Sequence, residues 1–374
     1  MPSSGTLGCG EDGLIQAYPP QKVARRFGTK LHVQSGAVGI LIGLACVAIL
    51  LRQVDLRESW KTLGRLNGTF LLIPLAVFFL NLPLRAWRWQ LIFPPSARPG
   101  LWSCLTVLGI GNMANFLLPG RAGDVARCVL VGQTSSLNDS SRALATLAVE
   151  KVLDGLALIG MVLFSFGALH ATQWVAKQLL VAACIFGGAL VLLVVLRYRT
   201  ASLIRFVRRA LRRIHLSSLE AKFDALSTSF ADGLIAVGSA RQILILLTLT
   251  GAIWTTEAAF IWGVAKALTL GVTLKSAVVA SAMIGLGFMI PAAPGGLGSY
   301  ELFGTEAFKL TGLAASSALT LTVMIHALVS VVNVVAGMCL LGIKGISIAQ
   351  LRNRLERDGV TELAETELAD RRSA

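Results

Sequence analysis

The sequence predicts an all-α integral membrane protein: a polytopic helical bundle with two inverted halves, each containing a re-entrant helix pair. Three observations predict it. Hydrophobic residues make up 55% of the 374 positions and charged residues 14%, with a mean hydropathy of +0.71, whereas soluble domains carry about 25% charged residues. Apolar windows with few or no charges recur at 33–51, 174–196 and 321–343, each long enough for a helix to cross a hydrocarbon core of roughly 30 Å. Finally, "LPGRAGD" (118–124) and "APGGLGS" (293–299) interrupt two apolar runs in one pattern: Pro119, Gly120 and Gly123 precede Pro294, Gly295 and Gly298 by 175 positions each. A transmembrane barrel is excluded, because its segments would alternate polar and apolar residues over about ten positions.

Residues 1–30 form a cytoplasmic N-terminal segment. They mix charge, glycine, Pro19 and Pro20 without a short apolar core and small-residue cleavage site, so no cleaved signal peptide is expected. Lys22, Arg25, Arg26 and Lys30 hold this end inside, since basic residues concentrate in short cytoplasmic segments. The span 33–51 then runs out and 69–93 returns, ending at "RAWRW", where Arg85, Trp87, Arg88 and Trp89 suit a cytoplasmic interface. The densest basic cluster, Arg197, Arg199, Arg205, Arg208, Arg209, Arg212 and Arg213, holds the end of 174–196 inside. The window 145–169 therefore runs outward, and 101–142 must enter and leave on one side. Proline and glycine make that reversal possible, the first by ending a helix and the second by adopting backbone angles that other residues resist.

The second half repeats this order with opposite orientation: 241–265 runs out, the run "VVASAMIGLGFMI" and its proline break form the second re-entrant pair, and 319–343 returns. "SRALATL" (141–147) also falls on "SSALTLT" (316–322) at the same offset. Paired Gly/Pro-interrupted segments in two inverted halves are a sequence pointer to a transporter's binding site. Between the halves, the cytoplasmic linker 197–240 contains an amphipathic stretch. Leu203, Val207, Ala210, Leu211 and Ile214 share one face and five arginines the other, so it is expected to lie on the membrane and touch anionic lipid. Residues 344–374 form a cytoplasmic tail.

The net charge of +14 thus marks topology, and no nucleic-acid partner is expected. The six cysteines (Cys9, Cys46, Cys104, Cys128, Cys184, Cys339) lack paired spacings, and neither a metal site nor a cofactor is expected. Charged side chains inside spans cost about 2.5–3.5 kcal/mol each on insertion scales, so those retained are candidate functional groups. Glu150 and Asp154 share a helix face and Lys151 stands three positions from Asp154, close enough to pair. One acid would neutralise Lys151, leaving the other for a cationic headgroup, a proton, Arg121 or Arg127; a self-satisfied ion cluster is the alternative. Arg121, Asp124 and Arg127 surround the start of the returning half-helix, where exposed amides favour a phosphate. Arg121 and Glu150 are expected to act as a pair of opposite-charge headgroup or gating contacts. At the second break Gly295, Gly296 and Gly298 permit close backbone approach, Ser299 is a candidate cap and Glu301 lies in the first helical turn. His326 is expected to be packed or hydrogen-bonded. For both breaks, a tight packed turn is the alternative reading.

The stretches Asn115–Arg127, Glu150–Asp154, Arg85–Trp89 and Pro291–Glu301, as "NFLLPGRAGDVAR", "EKVLD", "RAWRW" and "PAAPGGLGSYE", resemble the membrane region of lysylphosphatidylglycerol synthases, a flippase-like domain also found free-standing. Asp124 stands where the family often has glutamate. The resemblance implies a flippase-like transmembrane domain over 31–343 that moves a lipid with a polar headgroup, or one of polyprenyl or hopanoid type, between leaflets. Its matching polar positions are Arg121, Asp124, Arg127, Glu150, Asp154 and Glu301. Only residues 344–374 follow the last span, so the fused family members' soluble aminoacyl-transferase domain, and its synthase activity, is expected to be absent. No enzyme is expected, given the lack of GxSxG and HExxH motifs. A membrane scaffold or regulatory partner of a lipid-modifying enzyme, and an intramembrane lipid-modifying enzyme, stand as alternatives. The expected location is the inner (cytoplasmic) membrane, with both termini cytoplasmic.

Overall fold

The computed structural model describes residues 56–118, 121–134, 140–166, 177, 180–192, 239–290 and 293–343. The N-terminal segment, the span 33–51, the break residues Pro119 and Gly120, the basic amphipathic stretch and the tail from 344 lie outside the described residues. Among the described residues all regular structure is helical. The helices are α1 (Leu56–Leu63), α2 (Leu72–Phe79), α3 (Asn81–Ile92), α4 (Leu101–Leu117), α5 (Ala122–Thr134) and α6 (Ser140–Phe166), followed by α7 (Leu180–Leu192), α8 (Ala240–Ala267), α9 (Leu274–Met289), α10 (Ser299–Leu310) and α11 (Ala315–Ile343).

Among the described residues three segments are long and apolar enough to cross a membrane: Gly68–Ile92, which joins α2 and α3, Arg241–Ala267 in α8, and Ala315–Ile343 in α11. Helix α6 has 27 residues but carries Glu150, Lys151 and Asp154 in its middle. Helices α4, α5, α9 and α10 have 17, 13, 16 and 12 residues. At 1.5 Å per residue each falls short of the roughly 30 Å core. They form two hairpins, α4 against α5 and α9 against α10.

The α2–α3 segment runs antiparallel to α8. The Asn67 amide donates to the Ala267 carbonyl (2.9 Å) at one end, and Gln242 Nε2 donates to the Leu91 carbonyl (2.9 Å) at the other. Midway, Asn81 Nδ2 donates to Thr256 Oγ1 (3.2 Å), its counterpart at a separation of 175. Ile92 and Ala267, which close α3 and α8, and Ser140 and Ala315, which open α6 and α11, are also 175 apart. Packing follows the same correspondence: α4 lies along α11 as α9 lies along α6, and α3 packs on α4 as α8 packs on α9.

The turns of the two hairpins meet. Phe116 at the end of α4 contacts Phe288 at the end of α9, with ring centroids 5.6 Å apart, and Arg121 Nη1 donates to the Phe288 carbonyl (2.7 Å). The second turn depends on glycine, with Gly295 at φ 67°, Gly296 at φ 74° and Gly298 at φ 88°. Pro294 opens a single 3-10 turn there. In the first hairpin α4 and α5 touch backbone to backbone. A methyl on Gly123 would overlap the Gly111 carbonyl oxygen and come within 2.7 Å of the Asn115 amide nitrogen.

Gly123→Ala should therefore force α4 and α5 apart and cost about 1–3 kcal/mol. Gly160→Ala, where a methyl meets nothing within 4 Å, is the control and should be neutral or slightly stabilising. Thermal unfolding of the two variants in one detergent checks the contrast; equal melting temperatures would contradict the close approach.

Candidate functional site

Below the meeting turns, α3, α4, α5, α6, α8, α9 and α11 surround a cavity of about 140 Å³. Its wall carries Arg85, Arg121, Arg127, Lys151, Asp124, Glu150, Asp154 and Glu257, and Arg88 is buried behind it. The helical spacing of α3 explains the placement of the arginines. In "RAWRW", Arg85, Arg88 and Trp89 share one face while Trp87 points outward, 46% exposed. The interfacial role expected for this stretch is thus corrected: Arg88 and Trp89 are wholly buried, because the terminal guanidinium nitrogens of Arg88 and the indole nitrogen of Trp89 find partners inside the bundle.

Arg88 donates to Asp154 through both terminal nitrogens (2.6 and 3.1 Å) and to Thr250 Oγ1 (3.0 Å), and its Nη2 lies 3.9 Å from Glu150. Trp254 Nε1 adds a third donor to Asp154 (3.2 Å). One turn away, Arg127 from α5 donates to both oxygens of Glu150 (3.2 and 3.0 Å) and lies 5.2 Å over the Trp89 ring. Two fork-to-carboxylate pairs, both strong because two charge-assisted bonds act in parallel, therefore join α3 and α5 to α6.

The start of α5 is ordered from within its own hairpin. Asn115 Oδ1 accepts from the Asp124 amide (3.2 Å) while its Nδ2 donates to Asp124 Oδ1 (3.3 Å). Asp124 in turn receives Arg121 Nε (2.9 Å), with Arg127 Nη2 at 3.4 Å and Lys151 Nζ at 3.5 Å. Arg121 itself has a φ of 57°. A non-glycine residue in the left-handed region costs energy and needs surrounding contacts to hold it, here Asp124 and the Phe288 carbonyl.

These distances choose between two partners the sequence left open for Glu150 and revise the pairing expected for Lys151. Arg121 pairs with Asp124 rather than Glu150, whose partner is Arg127. Lys151 reaches Asp124 and Glu150 (3.5 and 3.9 Å), whereas Asp154 is taken by Arg88. Helical spacing makes a pair possible, but bidentate arginines brought by other helices win it. Arg121, Asp124, Arg127, Glu150, Lys151 and Asp154 nevertheless all converge on the cavity, together with Asn81, Arg85, Asn112, Trp254 and Glu257, which sequence reasoning did not assign to it.

Glu301 does not line the cavity. Its carboxylate accepts from the Gly298 amide (2.7 Å), capping α10 where Ser299 was the expected cap, and also contacts His326 Nδ1. The Ser299 hydroxyl turns back onto the Gly296 carbonyl (3.0 Å). His326 Nε2 meets the Gly295 carbonyl (3.0 Å), and its ring stacks on Tyr300 with centroids 4.2 Å apart. His326 is accordingly hydrogen-bonded, as expected, and clamps the second turn to α11. The second break is a packed turn, Gly296 and Gly298 serving its shape. Among the described residues no group of three or more His, Cys, Asp or Glu is arranged to hold a metal.

Of the cavity's cations, Arg88 and Arg127 side chains are 0% and 3% exposed, whereas Arg85, Arg121 and Lys151 retain 22%, 21% and 30%. The first two lock the bundle. The other three face open space and make longer or fewer ion contacts, which leaves donors available to an anion.

A family model described as the lysylphosphatidylglycerol synthase TM region matches residues 36–337. A UPF0104 membrane protein of Pyrococcus horikoshii is 23% identical over 307 residues, covering 76% of this chain and 90% of its own length. No solved structure matches the chain.

Removing one member of a buried ion pair strands the other and costs about 3–5 kcal/mol. Arg127→Leu should therefore destabilise the protein strongly, and the double variant Arg127→Leu/Glu150→Leu should recover part of the loss. Recovery will be incomplete because Arg88 and Lys151 also face Glu150 at 3.9 Å. Thermal unfolding of the singles and the double in one detergent measures the coupling; additive losses would refute it.

Proposed function

Because the chain belongs to the lysylphosphatidylglycerol synthase TM-region family of membrane proteins, we propose that it moves a lipid with a phosphate-bearing headgroup between leaflets without altering it chemically. One observation carries this reading: a half-open cavity presents Arg85, Arg121 and Lys151 to open space while its acids Glu150 and Asp154 are already neutralised by Arg127 and Arg88. A polar headgroup crossing the apolar core needs a compensating polar surface along its route, and a surplus of cations favours an anionic one. The headgroup phosphate sits among Arg85, Arg121 and Lys151, and the acyl or isoprenoid chain stays in the bilayer.

The architecture of this reading is two inverted halves whose short hairpins enter from opposite faces and meet tip to tip. Hairpin helices too short to cross, contact between their turns, and the antiparallel run of α2–α3 against its 175-residue counterpart α8 support it. The break residues Pro294 and Gly295 stand at the second tip. The protein resides in the inner membrane with both termini cytoplasmic, and the basic linker contacts anionic lipid. The headgroup is handled by transport alone, with no cofactor, although a lipid-modifying enzyme is a fitting partner to supply the cargo.

In proteoliposomes containing a fluorescent phosphatidylglycerol, Arg121→Ala should slow leaflet exchange about tenfold or more, since a charge-assisted contact is worth about 1.5–3 kcal/mol. The variant should still fold, because Asp124 keeps Arg127 and Lys151 as partners. Conversion of the labelled lipid to a new species without exchange would replace the transport reading with an enzymatic one. Single cysteines in a cysteine-free background test the orientation: position 138 should be shielded from an impermeant reagent added outside and position 271 should react.

A further inference from the structure

We propose that Glu257 is the proton-binding group of the cavity, coupling passage of an anionic headgroup to a proton that occupies the site with it. The proposal rests on the transport reading and adds its energy coupling. Glu257 stands on α8 and lines the cavity, its Oε2 accepting from Asn81 Nδ2 (3.1 Å). The other three cavity acids each hold a cation: Asp124 has Arg121 at 2.9 Å, Glu150 has Arg127 at 3.0 Å and Asp154 has Arg88 at 2.6 Å. Among the described residues no cation lies within 4.0 Å of Glu257.

The Arg85 charge acts on Glu257 from beyond 4.0 Å, and among the described residues no element packed around the carboxyl brings a cation closer. Helix α3 presents Arg85, but its Nε donates to Asn81 Oδ1 (2.6 Å) and its Nη1 lies 3.8 Å from Asp154. Helix α6 presents Asp154, held by Arg88, and α10 presents Tyr300. From α2 comes Phe78, from α9 Ser281 and from α11 Asn333, none of them charged. On α8 itself Trp254 donates to Asp154 and Thr256 Oγ1 bonds to the Ile253 carbonyl (2.7 Å).

Protonating Asp124, Glu150 or Asp154 would strand an arginine. Protonating Glu257 strands nothing, because Asn81 Nδ2 also has the Ile253 carbonyl and Thr256 Oγ1 as acceptors (3.2 Å each). Both states of this one carboxyl therefore fit the site.

The charge balance sets the sign of the coupling. Arg85, Arg88, Arg121, Arg127 and Lys151 are five cations against Asp124, Glu150, Asp154 and Glu257, an excess of one that becomes two when Glu257 takes a proton. A more positive cavity binds a phosphate more tightly. By linkage, a bound phosphate raises the proton affinity of Glu257 by the same factor. Headgroup and proton thus enter and leave together.

Two measurements on the full-length protein test this. Calorimetric titration of detergent-solubilised protein with dihexanoylphosphatidylglycerol, in buffers of different ionisation enthalpy at one pH, should show proton uptake on binding. Glu257→Gln should take up none and Glu257→Asp should retain uptake. No binding, no uptake by the wild type, or undiminished uptake by Glu257→Gln would overturn the proposal. In proteoliposomes an imposed gradient should bias the labelled lipid between leaflets by up to about tenfold per pH unit at one-to-one coupling. Glu257→Gln should lose that bias and Glu257→Asp keep it. Exchange that ignores the gradient in the wild type would leave transport standing and sink the coupling. Absent exchange would sink the transport reading, while the calorimetry still decides whether Glu257 binds the proton.

Discussion

Neutralising buried charge is the constraint on which this bundle depends. Arg88 has no exposed surface, and a guanidinium in such surroundings is tolerable only because Asp154 takes both of its forks and Thr250 a third bond. The same demand fixes Arg127 on Glu150. Since both acids project from α6, that helix anchors α3 and α5 at two levels one turn apart, and Trp254 attaches α8 to the same carboxylate. Packing of Ile92, Val149 and Leu246 surrounds these bonds with apolar contact and keeps the local dielectric low. Positions of the cavity-facing groups follow from this frame: Arg85, Arg121 and Lys151 hang from helices whose placement the sequestered pairs have already set.

The meeting of the hairpin turns is held differently, by shape and by hydrogen bonds to backbone. Gly123 lets α5 approach α4 to backbone contact, and Asn115 uses that proximity to cap α5 through Asp124. On the other side, Glu301 and His326 clamp the glycine turn. His326 meets the Gly295 carbonyl through Nε2 and the Glu301 carboxylate through Nδ1, so one ring ties the turn to the helix that follows it. Phe116 packs against both Phe288 and His326, which brings the clamp and the first turn into one contact unit.

Much of this was legible in the sequence, and the remainder was hidden for identifiable reasons. Glycine and proline leave a local signature wherever backbone must turn or approach closely, so the two breaks could be read from their spacing alone. Glu150, Lys151 and Asp154 stood out because they interrupt an apolar run. Their partners did not: Arg88 lies 66 positions from Asp154, and only the crossing of α3 and α6 brings them together. An arginine beside tryptophans at the end of a span has the same local pattern whether it meets headgroups or a buried acid, which is why Arg88 was read as interfacial. Glu257 was overlooked because one acid in a long apolar helix carries no spacing signal. Glu301, conversely, matched a family motif yet serves its own turn, since a carboxylate in the first turn of a helix satisfies free amides before anything more distant.

At the 175-residue offset, Arg85, Arg88, Arg121, Asp124, Arg127, Glu150, Lys151 and Asp154 fall on Phe260, Gly263, Gly296, Ser299, Leu302, Ile325, His326 and Val329. Backbone elements correspond across that offset, but the ionic groups do not: those eight belong to the N-terminal portion, and the facing portion answers with apolar or small residues and one imidazole. Among the described residues the helices thus correspond in extent and packing partners across the offset, while the charges are strongly lopsided. The α4–α5 side carries a dense ionic lattice, whereas the α9–α10 turn carries glycine backbone and one carboxylate, Glu301, held by the Gly298 amide and His326. Charges gathered on one side cannot set up an even field across the bundle, and the protein carries an electrostatic polarity that its backbone, taken alone, would not reveal.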